Sequence, residues 1–479
     1  MIRPGDGDTI CALATAPGVG AIAVVRLSGR ATSENVQLRP LSIAKKIASF
    51  LPSKPESHRA YFGTLKAFDG SSLDEALVTY FAEGRSFTGE ESLEFSVHGG
   101  SQISGRLLEE LLAAGARLAK PGEFTYRAYM NDRIDLVQAE SILSLIEARS
   151  SEGSANALAQ LKGELSRKFL DIENDLLWIG AQLEASIDFS SDGIELKPSQ
   201  DVLGRAENLN DQLTALIETY NKGRILRDGL TVAFVGSPNA GKSSLLNSVV
   251  EEDRAIVTDQ PGTTRDVIEV ETRLEGTPVR WIDTAGIRQS SDVVEKLGVE
   301  RSLKVREAAD VVVVVIDLAG TDWREKFKNF VREARSQAVA GKEDREWYFF
   351  NKVDLDRTDE WRATAEAEAE ALGVLDRVLF GSARMGTGLL ELKETVVRPI
   401  REKAFVQGGI AITQARHVEG LKTIQGALTK GLELIRKDAS PEIIAFELTL
   451  AVRTIHELLG KEFHEQVIDR IFKEFCLGK

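Results

Sequence analysis

The sequence predicts a multidomain chain: a small α+β domain at the N-terminus, an all-α helical domain, and a doubly wound α/β phosphate-binding domain inserted between helical stretches. Three observations predict it. At 479 residues the chain exceeds what one ordinary core organises, and about three domains is the expectation. Apolar residues recur at steps of three or four on both sides of the middle region. In that middle region, residues 236 to 243 read Gly-Ser-Pro-Asn-Ala-Gly-Lys-Ser, after an apolar run from Thr231 to Val235 and before a helix-like stretch from Ser244 to Val249. A strand before and a helix after are the context a phosphate-binding loop needs. Its glycines let backbone N–H groups close around phosphate oxygens. Lys242 can reach the β- and γ-phosphates and the Ser243 hydroxyl can ligate Mg²⁺. The chain therefore binds a nucleoside triphosphate, through Asn239, Ala240, Gly241, Lys242, Ser243 and Ser244.

Composition narrows the class. Hydrophobic content of 43% and charge of 28% are those of a soluble globular protein. The net charge of −14 argues against bulk attraction to nucleic acid, while leaving room for a local basic patch. Cys11 and Cys476 stand at opposite ends, so no disulfide framework is implied. That fits a reducing cytosol, and a cytoplasmic protein is expected. The longest aliphatic run, Val311 to Ile316, falls far short of a membrane span. The N-terminus has no signal-peptide pattern.

Taken in order, residues 1–125 carry strand-like runs at Ala21 to Leu27, Leu77 to Phe81 and Leu93 to Val97, then a helical pattern at Ile103 to Leu112. Residues 126–224 form the first part of the helical domain. No proline interrupts Leu136 to about Phe189, and Leu158, Leu161, Leu165, Phe169, Ile172, Leu176, Ile179, Leu183 and Ile187 make one apolar stripe on one long helix. Residues 225–393 alternate strand and helix. Their strands are Thr231 to Val235, Val279 to Ile282, Val311 to Ile316, Trp347 to Phe350 and Arg377 to Phe380. The unbroken run at Val311 suits a parallel strand covered on both faces. Residues 394–479 are helical again, with a stripe at Leu421, Ile424, Leu428, Leu432 and Ile435. Ser440-Pro441 reads as a helix cap with a first-turn proline, and Gly460 as a stop. One helical domain carrying an insertion is the economical reading; two independent helical domains are the alternative.

The residues just after the strands identify the nucleotide. Asp283-Thr284-Ala285-Gly286 places an acid for the Mg²⁺ shell and a glycine N–H for the γ-phosphate. Asn351-Lys352-Val353-Asp354 places an acceptor-only carboxylate. Guanine offers N1–H and N2–H₂ donors to it and adenine does not, so the nucleotide is GTP. Ser382-Ala383 completes the base pocket. Gly262-Thr263-Thr264-Arg265-Asp266 occupies the switch position, where Thr264 can ligate Mg²⁺ when the γ-phosphate is present. Many GTPases orient the attacking water with a Gln after the Asp-Thr-Ala-Gly turn. Here Ile287 stands there, which leaves Glu295 or Gln289 for that role. Asn239 can help hold a monovalent cation beside the phosphates, doing the electrostatic work of an arginine finger.

These residues, with both ends of the chain, resemble the MnmE (TrmE) family of tRNA-modification GTPases. The resemblance runs from Asp8-Thr9-Ile10 and Ala23-Val24-Val25-Arg26-Leu27-Ser28-Gly29 through Phe87-Thr88-Gly89-Glu90, His98-Gly99-Gly100, Pro121-Gly122-Glu123-Phe124 and Asn131-Asp132-Arg133. It continues in Ala255-Ile256-Val257-Thr258-Asp259 and ends in Asp469-Arg470-Ile471-Phe472 and Cys476-Leu477-Gly478-Lys479. The resemblance implies a potassium-dependent GTPase, homodimeric, acting with the flavoprotein MnmG (GidA) in a heterotetramer or larger complex. The pair would modify carbon 5 of the wobble uridine of certain tRNAs. The one-carbon unit would come from a tetrahydrofolate, 5,10-methylene- or 5-formyltetrahydrofolate. It implies that residues 1–125 bind the folate and dimerise, and that the GTPase domains pair when GTP and K⁺ are bound.

By position in the family, Asn239, Thr258, Gln260 and Thr263 would surround K⁺, with Thr258 and Thr263 also in the GTP site. Ser243 and Thr264 would hold Mg²⁺, and Thr284, Ala285 and Gly286 would belong to the GTP site. Glu295 and Lys242 would be catalytic. Arg26, Glu94, Arg133 and Lys479 would face the folate. The chain departs from the family pattern at Gln260-Pro261, at Val19 where Arg is frequent, and at Arg133 where Lys is frequent. Arg keeps the cation and changes its geometry. Cys476 is either a one-carbon nucleophile or a small apolar residue. His98 shapes a turn or contacts ligand. Two other functions compete: a ribosome-assembly GTPase, which leaves the N-terminal segments unexplained, and a folate sensor with an idle GTPase.

Overall fold

The computed structural model describes residues 8–30, 36–191, 200–252, 268–274, 276–283, 305–336, 345–355, 360–402, 409–437, 439–462, 465–475 and 478. They form two compact units. The first comprises Met1–Ile146, Ala157–Ile217 and Arg416–Lys479; the second comprises Glu147–Asn156 and Glu218–Ala415.

In the first unit, β1 (Ile10–Leu13), β2 (Ile22–Gly29), β3 (Arg59–Lys66), β4 (Ser72–Phe81), β5 (Glu91–His98) and β6 (Arg117–Leu118) make one sheet in the order β3-β4-β5-β2-β1-β6. Alternation along the strands decides its faces. Val25, Leu27, Leu93 and Phe95 point inward and pack with Leu107 and Leu111 of the helix Ser101–Ala113 and with Ile43 and Ile47 of the helix Pro40–Ile47. Their neighbours point outward. Phe62 is 67% exposed, Ile22 63% and Leu77 48%, and Phe62, Leu77 and Ser96 pair in one cross-strand row. The three expected strands are present. The sequence pattern missed β1 and the edge strand β3, which carries Gly63 at its centre against the ring of Phe50.

The proline-free stretch from Leu136 forms three helices, Leu136–Glu147, Ser151–Leu161 and Glu164–Ser191, and the one long helix expected to carry the stripe from Leu158 is divided between the last two. Gly163 has φ +82°, a left-handed conformation that ends a helix and that glycine adopts without strain. Gln138 Nε2 donates to the freed Leu161 carbonyl at 2.8 Å. The apolar stripe accordingly starts at Leu165. It runs through Phe169, Ile172, Leu176, Ile179 and Leu183, all at most 2% exposed, whereas Leu158 is 42% exposed. This helix packs on Pro441–Leu459. The stripe from Leu421 to Ile435 is buried on the helix Ala415–Arg436. Pro441 opens and Gly460 (φ +76°) closes the next helix as expected, but the Ser440 side chain makes no capping hydrogen bond.

An ion cluster fastens these helices. The Glu140 carboxylate accepts from Arg416 Nε and Nη2, both at 2.9 Å, and lies 2.7 Å from His417 Nε2. Arg416 also donates to the carbonyls of Glu457 and Leu458 at the end of the helix Pro441–Leu459. Burial would raise the Glu140 carboxyl; Arg416 and His417 outweigh it and hold it down at about 2.

In the second unit, β7 (Leu230–Gly236), β8 (Ile268–Leu274), β9 (Thr277–Asp283), β10 (Val311–Asp317), β11 (Glu346–Asn351) and β12 (Val378–Phe380) are ordered β12-β11-β10-β7-β9-β8. All neighbours are parallel except β8 with β9. Val311, Val313 and Val315 enter one core and Val312, Val314 and Ile316 the other, so both faces are covered and the fold is doubly wound. The five expected strands are present. The antiparallel edge strand β8 was missed, although Ile268, Val270, Thr272 and Leu274 alternate with Glu269, Glu271 and Arg273 in the period of a half-buried strand.

Removing one partner of a buried ion cluster costs about 3–5 kcal/mol. Glu140→Ala is therefore expected to lower stability by about 3 kcal/mol in denaturant titration. Because the folded carboxyl sits below its ordinary 4.5, its contribution is complete above that value and is lost as pH falls from there toward about 2. Acid titration of Glu140→Ala followed by circular dichroism should show a smaller loss across that window than the parent chain.

Candidate nucleotide site

The site lies where β7 stops. Gly236 has φ +149°, and a Cβ there would come 2.3 Å from the Val315 carbonyl oxygen of β10. Only glycine lets the loop leave the sheet at this point. Asn239 (φ +62°) and Gly241 (φ +97°) then turn the backbone into the helix Lys242–Glu252. Lys242 is buried, and its Nζ donates to the carbonyls of Gly236 and Ser237, both at 2.8 Å. The ammonium is thus folded across the loop, at the position where phosphate oxygens would meet it. Ser243 Oγ donates to Asp283 Oδ2 at 2.5 Å, and Asp283 is fully buried at the end of β9. A hydroxyl and a carboxylate side by side are hard oxygen donors of the kind Mg²⁺ takes.

The base side is built from β11 and the turn after β12. Asn351 Nδ2 donates to the Ala240 carbonyl at 2.8 Å while its Oδ1 accepts from Ala383 N–H at 3.0 Å. Lys352, itself at φ +68°, donates to the Asn239 carbonyl at 3.0 Å and to Asp317 Oδ2 at 2.5 Å. Asp354 accepts from Ser382 Oγ at 2.6 Å, and that hydroxyl accepts from Met385 N–H at 3.1 Å. So Asn239, Ala240, Gly241, Lys242, Ser243, Asp283, Asn351, Lys352, Asp354, Ser382 and Ala383 come together, and exposed Ser244 lies in the first turn of the helix. Asp317 was missed by sequence reasoning. Its only signal is a polar residue closing a six-residue aliphatic run. Thr258, Gln260, Thr263, Thr264, Thr284, Ala285, Gly286, Ile287, Gln289, Glu295, Cys476 and Lys479 lie outside the described residues.

In the first unit, Arg26 and Glu94 face each other across β2 and β5. Arg26 Nε lies 2.9 Å and Nη2 2.8 Å from Glu94 Oε1. The guanidinium stands 5.6 Å from the Phe124 ring and 5.9 Å from the Phe87 ring. Arg133 is exposed and runs past Gly89. His98 is gripped at both ends by Asp74, which lies 2.8 Å from Nδ1 and accepts from the His98 N–H at 2.7 Å. Gly99 packs against Gly20, where a Cβ would come 2.3 Å from the carbonyl oxygen. His98 therefore shapes the turn. Cys11 is buried, and desolvation, only partly opposed by Arg117, pushes its thiol up to about 12, so it is not a nucleophile.

A glycine-turned loop after the first strand, a magnesium-type hydroxyl–carboxylate pair and an Asn-Lys-x-Asp base pocket define a P-loop GTPase. Residues 136–476 match the family model of the MnmE helical domain, and residues 9–133 that of the GTP-binding protein TrmE N-terminus. A tRNA modification GTPase MnmE of Bdellovibrio bacteriovorus is 42% identical over 485 residues, covering 100% of this chain and 99% of the relative. Those of Moorella thermoacetica (39%, covering 98% of this chain and 99% of the relative) and Fervidobacterium nodosum (36%, 98% of each) are also similar. The chain belongs to the MnmE family of tRNA modification GTPases. No helix among the described residues is long and apolar enough to cross a membrane.

The Asp354 carboxylate can only accept hydrogen bonds, and guanine offers the donors to match it. Xanthine carries a carbonyl where guanine carries its amino group, so an amide donor suits it better. Asp354→Asn is expected to weaken GTP binding about 100-fold or more and to bring xanthosine triphosphate to comparable affinity, measured by competition against a fluorescent guanine nucleotide.

Proposed function

We propose that this chain is a potassium-dependent GTPase which, with a flavoprotein partner of the MnmG (GidA) type, modifies carbon 5 of the wobble uridine of certain tRNAs. The observation that carries this reading is a match to tRNA modification GTPases along the full length, not only along the nucleotide site. A ribosome-assembly role would leave the match over residues 9–133 without a purpose. In the proposed division of labour, residues 1–125 bind a tetrahydrofolate and dimerise, residues 126–224 and 394–479 form the helical domain, and residues 225–393 hydrolyse GTP in the cytoplasm.

Several features support the finer parts. Arg26 and Glu94, flanked by Phe87 and Phe124, offer a donor, an acceptor and two aromatic rings to a folate, with Arg133 and Lys479 as further cations. The outward row of Phe62 and Leu77, with Ile22 nearby in the same sheet, is an apolar face of the kind a second copy would cover. In the GTPase, Lys242 moves from its loop carbonyls to the phosphates. Ser243 and Thr264 would hold Mg²⁺, which would supply positive charge to the triphosphate. Asn239, with Thr258, Gln260 and Thr263, would hold K⁺, whose charge would supply what an arginine finger supplies elsewhere. Glu295 orients the attacking water in place of the side chain that Ile287 cannot supply. Cys476 is carried as a candidate for the one-carbon step.

Mass spectrometry of tRNA from cells lacking this protein should show an unmodified wobble uridine; normal modification would sink the reading. Replacing Na⁺ by K⁺ should raise GTP turnover at least about tenfold, and equal turnover in the two salts would remove the K⁺ role of Asn239. Glu295→Ala should keep guanine-nucleotide affinity and slow hydrolysis about 100-fold or more. Near-normal turnover would move the water-orienting role to Gln289.

A further inference from the structure

Asp317 is the last residue of β10. Its Oδ1 accepts from the Ala319 N–H at 3.0 Å and its Oδ2 from Lys352 Nζ at 2.5 Å. Both side chains are part-exposed, 28% for Asp317 and 29% for Lys352. The same ammonium donates to the Asn239 carbonyl at 3.0 Å. Asn239 and Lys352 are two of the four described non-glycine residues with positive φ, at +62° and +68°. Two residues in a disfavoured conformation are thus joined by one hydrogen bond, and that bond is anchored at its far end by a carboxylate. Such conformations persist only where their surroundings over-determine them.

We propose that Asp317 is a positioning residue for nucleotide binding: it holds Lys352 in place, and Lys352 holds the phosphate loop at Asn239. The inference rests on the guanine-nucleotide reading of this site. Lysine is a long chain with a single compact charge and loses much rotamer freedom when fixed. Without Asp317 the ammonium spends more time in solvent, the Asn239 carbonyl loses its donor, and the strained turn relaxes. A nucleotide then meets a loop that is competent only part of the time, and its apparent affinity falls by that fraction. Once bound, the phosphates themselves order the loop, so the effect falls on affinity rather than on turnover. Asp317 needs no contact with the nucleotide for this.

The test uses the full chain and N-methylanthraniloyl-GDP fluorescence, with GTP hydrolysis in K⁺ buffer alongside. Asp317→Ala should weaken binding about tenfold and raise KM in step, while kcat changes less than twofold. Asp317→Asn, which keeps an acceptor for Ala319 and loses the charge, should weaken binding nearly as much. Asp317→Glu should recover most of it. Binding within twofold of the parent chain in Asp317→Ala overturns the proposal, as does a fall in kcat at unchanged KM. If Asp317→Ala loses its circular-dichroism signal, Asp317→Asn decides on the same criteria. A parent chain that does not bind the probe overturns the guanine reading itself; normal parent binding with unchanged variants overturns only the role of Asp317.

Discussion

The nucleotide site depends on a backbone held where backbones seldom stay. Gly236, Asn239 and Gly241 all have positive φ, and the loop between them has no ladder of its own. Its shape comes from what encloses it. The Val315 carbonyl of β10 leaves no room for a side chain at Gly236, and the Asn351 amide leaves none at Gly241. The same amide satisfies the Ala240 carbonyl, and Lys352 satisfies Asn239. Leaving the buried Ala240 carbonyl without a partner costs about 1–3 kcal/mol, comparable to the strain of a left-handed residue. The floor beneath is rigid because β10 is buried on both faces by two separate cores. Precision at the phosphates therefore comes from valines that touch no ligand.

The first unit solves a related problem with charge. Arg127 is 3% exposed and meets Asp8, Glu90 and Glu123. Burial works against its charge, and the three carboxylates outweigh that. Glu90 in turn accepts from Ser28 Oγ, and Ser28 shares hydrogen bonds with Thr88 and Ser92. On β2 and β5, Ser28 and Ser92 are the pair next along the same face from Arg26 and Glu94. One face of one sheet is therefore polar and buried at one end, polar and part-exposed at Arg26–Glu94, and apolar and exposed toward Ile22 and Leu77.

How much the sequence discloses depends on how local each requirement is. The phosphate loop needs eight consecutive residues, and Asn-Lys-x-Asp needs four, so both were legible. The valines of β10 were legible because burial on both faces suppresses alternation. Asp317 was not, because its meaning lies in Lys352, 35 residues away. Arg127 was not, because two of its partners, Asp8 and Glu90, sit on distant segments, although Glu123 is one turn away on its own helix. The helix break at Gly163 was hidden by an apolar period that continues through it, and only the left-handed φ ends the helix. Edge strand β8 was legible in its alternation, Ile268, Val270, Thr272 and Leu274 against two glutamates and an arginine, and was passed over.

One device recurs at three places where regular backbone pairing stops. Asn351 offers its amide to the Ala240 carbonyl and its oxygen to the Ala383 N–H. Asn156 does the same for both backbone groups of Ala411, at 3.1 and 2.9 Å, in a segment that is buried without being helix or strand. Asp74 binds both the backbone and the ring of His98 where β5 ends. A carboxylate can only accept, so it serves where two donors converge. A carboxamide has one donor end and one acceptor end at separate atoms, so it can stand in for a strand's N–H and C=O together. At positions 156 and 351 an acid of the same shape would set a lone pair against a carbonyl oxygen. The choice of Asn there and Asp at 74 follows from the polarity of the backbone groups each must satisfy.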